Sequence, residues 1–159
     1  MNLSKKEKSY TDKEALTKIG AFCSYQERTQ QEVRDKLYTY GLNKDAVESI
    51  IVKLIQENFV NEERFAKMYA GGKFRIKQWG RRKIQEGLKN KQISDYCIRQ
   101  AMKEISEEEY HKTLLLLIEK RDLSEKEKNT YKRKHKIAQY VIGKGFEPEL
   151  VWEILKIGN

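Results

Sequence analysis

The chain has 159 residues, enough for one domain or an array of small units, and carries a formal net charge of +9 from 33 basic and 24 acidic side chains. Hydrophobic residues make up 38% and charged residues 36%, which calls for a thin core, and a single proline leaves long stretches free to be helical. No apolar run is long enough to span a bilayer, none follows the N-terminal lysines as a signal peptide requires, and Cys23 and Cys97 form no CxxC, so a cytoplasmic, membrane-free protein with two reduced, core-type cysteines is expected.

Residues 1–14 read as a polar tail. A helix follows near Ala15 to Tyr25, with Leu16, Ile19 and Phe22 or Cys23 inward. The next opens on the capping box Thr29-Gln30-Gln31-Glu32, carries Val33 and Leu37, and stops at Gly41, which suits the left-handed conformation of a helix end. Asn43 caps a third helix with Ala46, Val47, Ile50 and Ile51 inward. The same succession then returns. Val33, Leu37 and Leu42 match Ile84, Leu88 and Ile93, and then Ile137, Val141 and Phe146, at displacements of about 50 residues that mark an internal repeat. In the second copy a helix after Asn61 places Phe65, Met68 and Tyr69 inward, and Ser94 caps the third helix; Gln92 stands where a turn glycine is expected, so a different turn is anticipated. In the third copy Ser106 and Glu109 form a capping box, a polar insert near residues 121–134 lengthens the unit, Gly145 repeats the stop, and Pro148 takes the first helical position.

The expected architecture is therefore all-α: three tandem three-helix repeats, residues 15–57, 58–105 and 106–159, stacked into an elongated, curved solenoid. No segment alternates as a half-buried strand would.

Charge is unevenly placed. Residues 15–57 hold six cations and six anions, whereas residues 73–91 hold eight cations and one anion (net +7). Residues 92–125 hold five cations and eight anions (net −3), and residues 126–136 hold six cations and one anion (net +5). Two strong basic blocks in an otherwise near-neutral chain point to a polyanion or an acidic protein groove as partner. The candidate contact residues are Lys73, Arg75, Lys77, Trp79, Arg81, Arg82 and Lys83 in the first block and Lys132, Arg133 and Lys134 in the second. The cations are expected on the solvent side of helices whose core stripes are Ile84 and Leu88, or Ile137 and Val141, and Trp79 reads as either a core anchor or an exposed contact, the core anchor being favoured.

Catalytic chemistry is not indicated. His111 and His135 have no partner at metal-ligand spacing, Gly71-Gly72-Lys73 lacks the upstream half of a phosphate-binding loop, and no nucleophile, base and orienting acid come together. No enzyme, no cofactor and no metal are expected.

Two segments carry a resemblance. RTQQEVRDKLYTYGLNKDAVESIIVKL (residues 28–54) and NFVNEERFAKMYAGGKFRIKQWGRRKIQEGLKNKQIS (residues 58–94) resemble the RecX family, bacterial regulators of RecA. Arg64-Phe65-Ala66 stands where a family helix begins, and Gly80, Arg82, Ile84, Leu88 and Lys91-Gln92-Ile93 follow the family's succession of Gly, Ile, Leu and a Lys-Gly-Ile turn. The chain departs from the family at Asn61-Glu62-Glu63, where paired aspartates are usual, and at Gln92. The resemblance implies a small monomeric regulator in DNA repair, recombination and the SOS response. Such a protein binds RecA and the RecA–single-stranded-DNA filament, with weak direct DNA binding, and modulates, mostly by inhibition, RecA's ATP hydrolysis and strand exchange. Two other readings remain open: a direct nucleic-acid binder of helix-turn-helix type, and a plain helical scaffold charged for solubility.

Overall fold

The computed structural model describes residues 9–157, and among them there is no strand. Nine helices follow in order: α1 Asp12–Tyr25, α2 Gln30–Thr39, α3 Lys44–Gln56, α4 Glu62–Arg75, α5 Arg81–Asn90, α6 Asp95–Met102, α7 Glu107–Ser124, α8 Thr130–Gly143 and α9 Pro148–Ile157. This is the three-by-three arrangement that the repeat implies. Side-chain caps set the starts. Thr29 accepts from the Glu32 amide (3.0 Å), Asn43 from Ala46 (2.9 Å), Ser94 from Cys97 (3.3 Å) and Ser106 from Glu109 (3.0 Å). Each satisfies one of the amides that a helix start leaves without a partner. Glu32, which a capping box would turn back on Thr29, lies 3.5 Å from Lys91 Nζ.

The helix α1 begins at Asp12, three residues ahead of the sequence expectation. Thr11 accepts the Glu14 amide, and just before it Tyr10 packs edge-on against Tyr40 and donates its amide to the Tyr40 carbonyl. The polar insert of the third repeat is partly helical: α7 runs to Ser124 and α8 starts at Thr130, capped by Asn129, so the added length goes largely into the helices.

The described chain forms two compact units. One comprises residues 9–65 with 91–93. Its core joins Ala15, Ile19 and Cys23 of α1, Val33 and Leu37 of α2, Val47, Ile50, Ile51 and Leu54 of α3, and Tyr40 and Val60 from the connections. The other comprises residues 66–90 and 94–157. There Ile84 and Leu88 of α5 are fully buried, as their spacing requires, with Ala70 and Phe74 of α4, Ile98 and Ala101 of α6, Tyr110, Leu114 and Leu117 of α7, Ile137 and Val141 of α8, and Val151 of α9. Tyr110 stands at the centre, its ring 5.9 Å from Phe74 and 5.0 Å from Phe146. Met68 differs from expectation: it is 62% exposed, because the inward stripe of α4 runs through Ala66, Ala70 and Phe74. Alanine marks a close-packed face as readily as a large side chain does.

The turns match where the sequence suggested a difference. Gln92 adopts φ +61°, the left-handed conformation that Gly41 (φ +80°) and Gly145 (φ +103°) take at the equivalent points. The turn is conserved in shape across the three repeats, and in the second a residue with a Cβ bears the strain. Gln92→Gly is therefore expected to raise stability by about 0.5–1 kcal/mol, the strain relieved less the added freedom of the unfolded chain. A thermal melt of the variant checks this, and an unchanged or lower midpoint would refute it.

Candidate polyanion-binding site

The densest basic stretch runs from the end of α4 across the 76–80 loop into α5, and the third repeat holds that loop in place. The Gly80 amide donates to the Lys144 carbonyl (2.8 Å), the Arg82 amide to the Gly145 carbonyl (3.0 Å), and Lys144 Nζ to the Lys77 carbonyl (3.2 Å). This approach is so close that a Cβ on Gly80 would lie 2.2 Å from the Gly145 carbonyl carbon. The start of α5 and the α8–α9 turn thus form one backbone-to-backbone junction.

Beneath the junction lies a polar network. Tyr110, 1% exposed, donates its hydroxyl proton to Glu147 Oε1 in a short hydrogen bond and accepts the Arg81 amide (3.1 Å). The Arg81 guanidinium covers the Tyr110 ring at 3.9 Å and pairs with Glu107 (2.8 Å) and Glu147 (3.4 Å). Burial, and then the bond to Glu147, push the Tyr110 hydroxyl well above its ordinary value of 10.0. The linkage has a definite sign. The unfolded chain ionises this tyrosine near pH 10 while the folded chain keeps it protonated, so its contribution is present below about pH 10 and is lost as pH rises further. Denaturation midpoints measured between about pH 9 and about pH 11 should fall, and Tyr110→Phe should flatten the fall.

Arg81 was expected among the outward cations, but its side chain is 22% exposed and engaged by two carboxylates and an aromatic ring. Arg133 is corrected likewise. It pairs with Asp122 (2.9 Å) and donates to the carbonyls of Glu125 (2.8 Å), Glu127 (2.9 Å) and, in a short bond, Asp122. It thereby ties the end of α7 to the start of α8. Lys136 lies 3.3 Å from Glu127, whose carboxyl is held below the usual range by the Asn129 amide and by this lysine. Arg133 and Lys136 of the second basic block are thus compensated on the spot, whereas Lys126, Lys128 and Lys132 are exposed and make no ion pair among the described residues. Lys132 points outward, while Lys134 lies partly buried beside Ile137 and Ile154.

In the first block Lys73, Lys77, Arg82 and Lys83 make no ion pair among the described residues, and Lys77 and Arg82 are exposed. Arg75 is exposed and reaches only the Glu104 carbonyl (3.4 Å). Trp79 sits among these cations, half-buried, with Lys73 Nζ 4.8 Å and Lys83 Nζ 4.5 Å from its ring centroid. The structure therefore gathers Lys73, Lys77, Trp79, Arg82 and Lys83 around one loop and sets Arg81, Arg133 and Lys134 apart from them. Among the described residues no group of three or more His, Cys, Asp or Glu is placed to hold a metal ion, and no helix is long and apolar enough to cross a membrane.

Sequence reasoning missed Tyr110 and Glu147. One signal was available: Glu147 occupies the position at which the other repeats place the caps Asn43 and Ser94, and a glutamate is a poor cap.

The described chain is an all-α array of capped three-helix repeats with basic side chains gathered next to Trp79. Models of the first, second and third three-helix domains of RecX match residues 21–54, 61–102 and 107–155, and the chain belongs to the RecX family. It is similar to the "Regulatory protein RecX" of Clostridium perfringens (strain 13 / Type A), at 32% identity over 76% of this chain and 57% of that one. The corresponding protein of Bacillus mycoides (strain KBAB4) is 26% identical over 82% of this chain and 48% of that one. The chain thus spans about half the length of the curated relatives it matches. Among solved structures, RecX from Lactobacillus salivarius superposes with a TM-score of 0.84 at 25% identity, covering 91% of this chain and 94% of that one. A second RecX crystal structure superposes at 0.81 and 23% identity, covering 91% and 71%.

Proposed function

We propose that this chain is a non-enzymatic, cytoplasmic regulator that binds the RecA–single-stranded-DNA filament and slows RecA's ATP hydrolysis and strand exchange. The observation that carries the reading is the gathering, next to the half-buried Trp79, of four cations, Lys73, Lys77, Arg82 and Lys83, that make no ion pair among the described residues. Cations with no internal partner are available to phosphates or to the acidic side chains of a filament, and they act most strongly at low salt. Membership of the RecX family supports the choice of RecA as target.

The test is a titration of RecA's DNA-dependent ATP hydrolysis with the protein, which acts here as a monomer. Turnover should fall at less than one copy per RecA protomer. Unchanged turnover up to equimolar protein would overturn the proposal, and increased turnover would keep the target and reverse the sign. Direct reading of duplex sequence is disfavoured: α6, the helix in the recognition position of the second repeat, opens with Asp95 and carries few cations.

A further inference from the structure

We propose that Trp79 is a stacking platform for a base of single-stranded nucleic acid, with Lys73 and Lys83 taking the phosphates beside it. This rests on the filament-binding reading and names which component of the filament the loop touches.

Several basic side chains in this protein are paired with carboxylates: Arg34 with Glu48, Arg64 with Glu27, Lys91 with Glu32, Lys136 with Glu127. Lys73 and Lys83 instead hold their ammonium groups against the indole of Trp79, at 4.8 and 4.5 Å, and Lys73 also lies 5.4 Å from the Tyr69 ring. A cation over an aromatic face is attracted less strongly than one bonded to an anion, so both ammonium groups remain free to move to a phosphate. When one does, it uncovers a face of the indole, and a base can take its place. The exchange loses no contact on either side: cation–π becomes cation–phosphate, and the ring face passes from ammonium to base. An acidic protein surface would satisfy the lysines and leave the indole bare, so a strand that carries both phosphates and bases fits the pair better. The platform is fixed in position. The Trp79 amide donates to the Lys73 carbonyl (3.1 Å), and the Gly80 and Lys144 contacts pin the loop on either side of it. Lys77 and Arg82, which flank Trp79 in the sequence, are both exposed. Every base has a π-face, so the site should read no sequence.

Fluorescence provides the test, because the other tryptophan, Trp152 of α9, packs on His135 of α8 and can be removed to leave Trp79 as sole reporter. In the Trp152→Phe protein, a short oligothymidylate should quench Trp79 emission saturably, and an abasic oligomer of equal length should bind about tenfold more weakly. Trp79→Leu, with Trp152 present, should lose that advantage by anisotropy, so that the two oligomers bind alike. Trp79→Phe, which keeps a smaller ring, should retain part of it, and covers the case in which the leucine variant folds poorly. Lys73→Gln with Lys83→Gln should weaken both oligomers by a similar factor. Equal affinity of the parent protein for the two oligomers, or emission that oligothymidylate leaves unchanged, overturns the inference. Co-sedimentation with RecA filaments separates the two readings. Filament binding without quenching sinks the stacking site and leaves the regulator; quenching without filament binding does the reverse.

Discussion

Replacing Arg81 by glutamate is expected to destabilise the protein by about 2 kcal/mol, less than the roughly 3–5 kcal/mol lost when a fully buried ion pair is broken, because water reaches this network. The arginine lies between Glu107 and Glu147 over the Tyr110 ring, with its side chain 22% exposed. A glutamate would set a third carboxylate beside the other two. Its neighbour Arg82 is exposed and makes no ion pair among the described residues. Arg82→Glu should shift stability by only about 0.5 kcal/mol. Binding should respond in the opposite sense, with Arg82→Glu weakening filament association most at low salt. Thermal melts and filament co-sedimentation of the two variants decide it. Coincident melts would mean that the Arg81 network contributes little, and full co-sedimentation of Arg82→Glu would reduce the basic stretch to a solvated face.

Gly80→Ala should cost about 3 kcal/mol, although it adds one methyl group. The new Cβ would stand 2.2 Å from the Gly145 carbonyl carbon and 2.3 Å from the Phe146 nitrogen. These are backbone atoms of the α8–α9 turn, so relief requires the two chain segments to part and the Gly80–Lys144 hydrogen bond to stretch. Gly87 is an instructive contrast. Its Cβ would meet the Tyr69 hydroxyl at 2.2 Å, but that is the tip of a side chain that can swing. Gly87→Ala should cost about 1 kcal/mol. Chemical denaturation of the pair measures the difference. Equal costs would show that the junction yields as easily as a side chain.

The helices and their order were legible because each is punctuated locally. Thr29, Asn43, Ser94 and Ser106 all cap the helices they were assigned, and Ile84 and Leu88 are buried as their spacing demands. What escaped was set by tertiary contact. Met68 gave way to Ala66 and Ala70 because the packing distance, and not hydrophobicity alone, chose the face. Gln92 keeps the left-handed turn because the helices on either side fix its geometry more strongly than its own preference does. The candidate site divided in a similar way. Charge counting singled out residues 73–91, but it treats all cations alike. It could not tell Arg81 and Arg133, which meet carboxylates or carbonyls contributed from elsewhere in the chain, from Arg82 and Lys77, which meet none.

The bond between Tyr110 and Glu147 bears on how this array can change by duplication and loss. Repeat proteins owe their evolutionary freedom to interchangeable units, each presenting the same surface to the next. Here the second and third repeats meet through Arg81 of the one and Glu107 and Glu147 of the other, and the first repeat has Asn43 where the third has Glu147. A copy of the first repeat spliced in place of the third would take Tyr110, Glu107 and Glu147 away together and would set an asparagine at the position from which Glu147 now meets Arg81. The three units share an ancestry legible in their spacing, but at this junction they have ceased to be exchangeable parts.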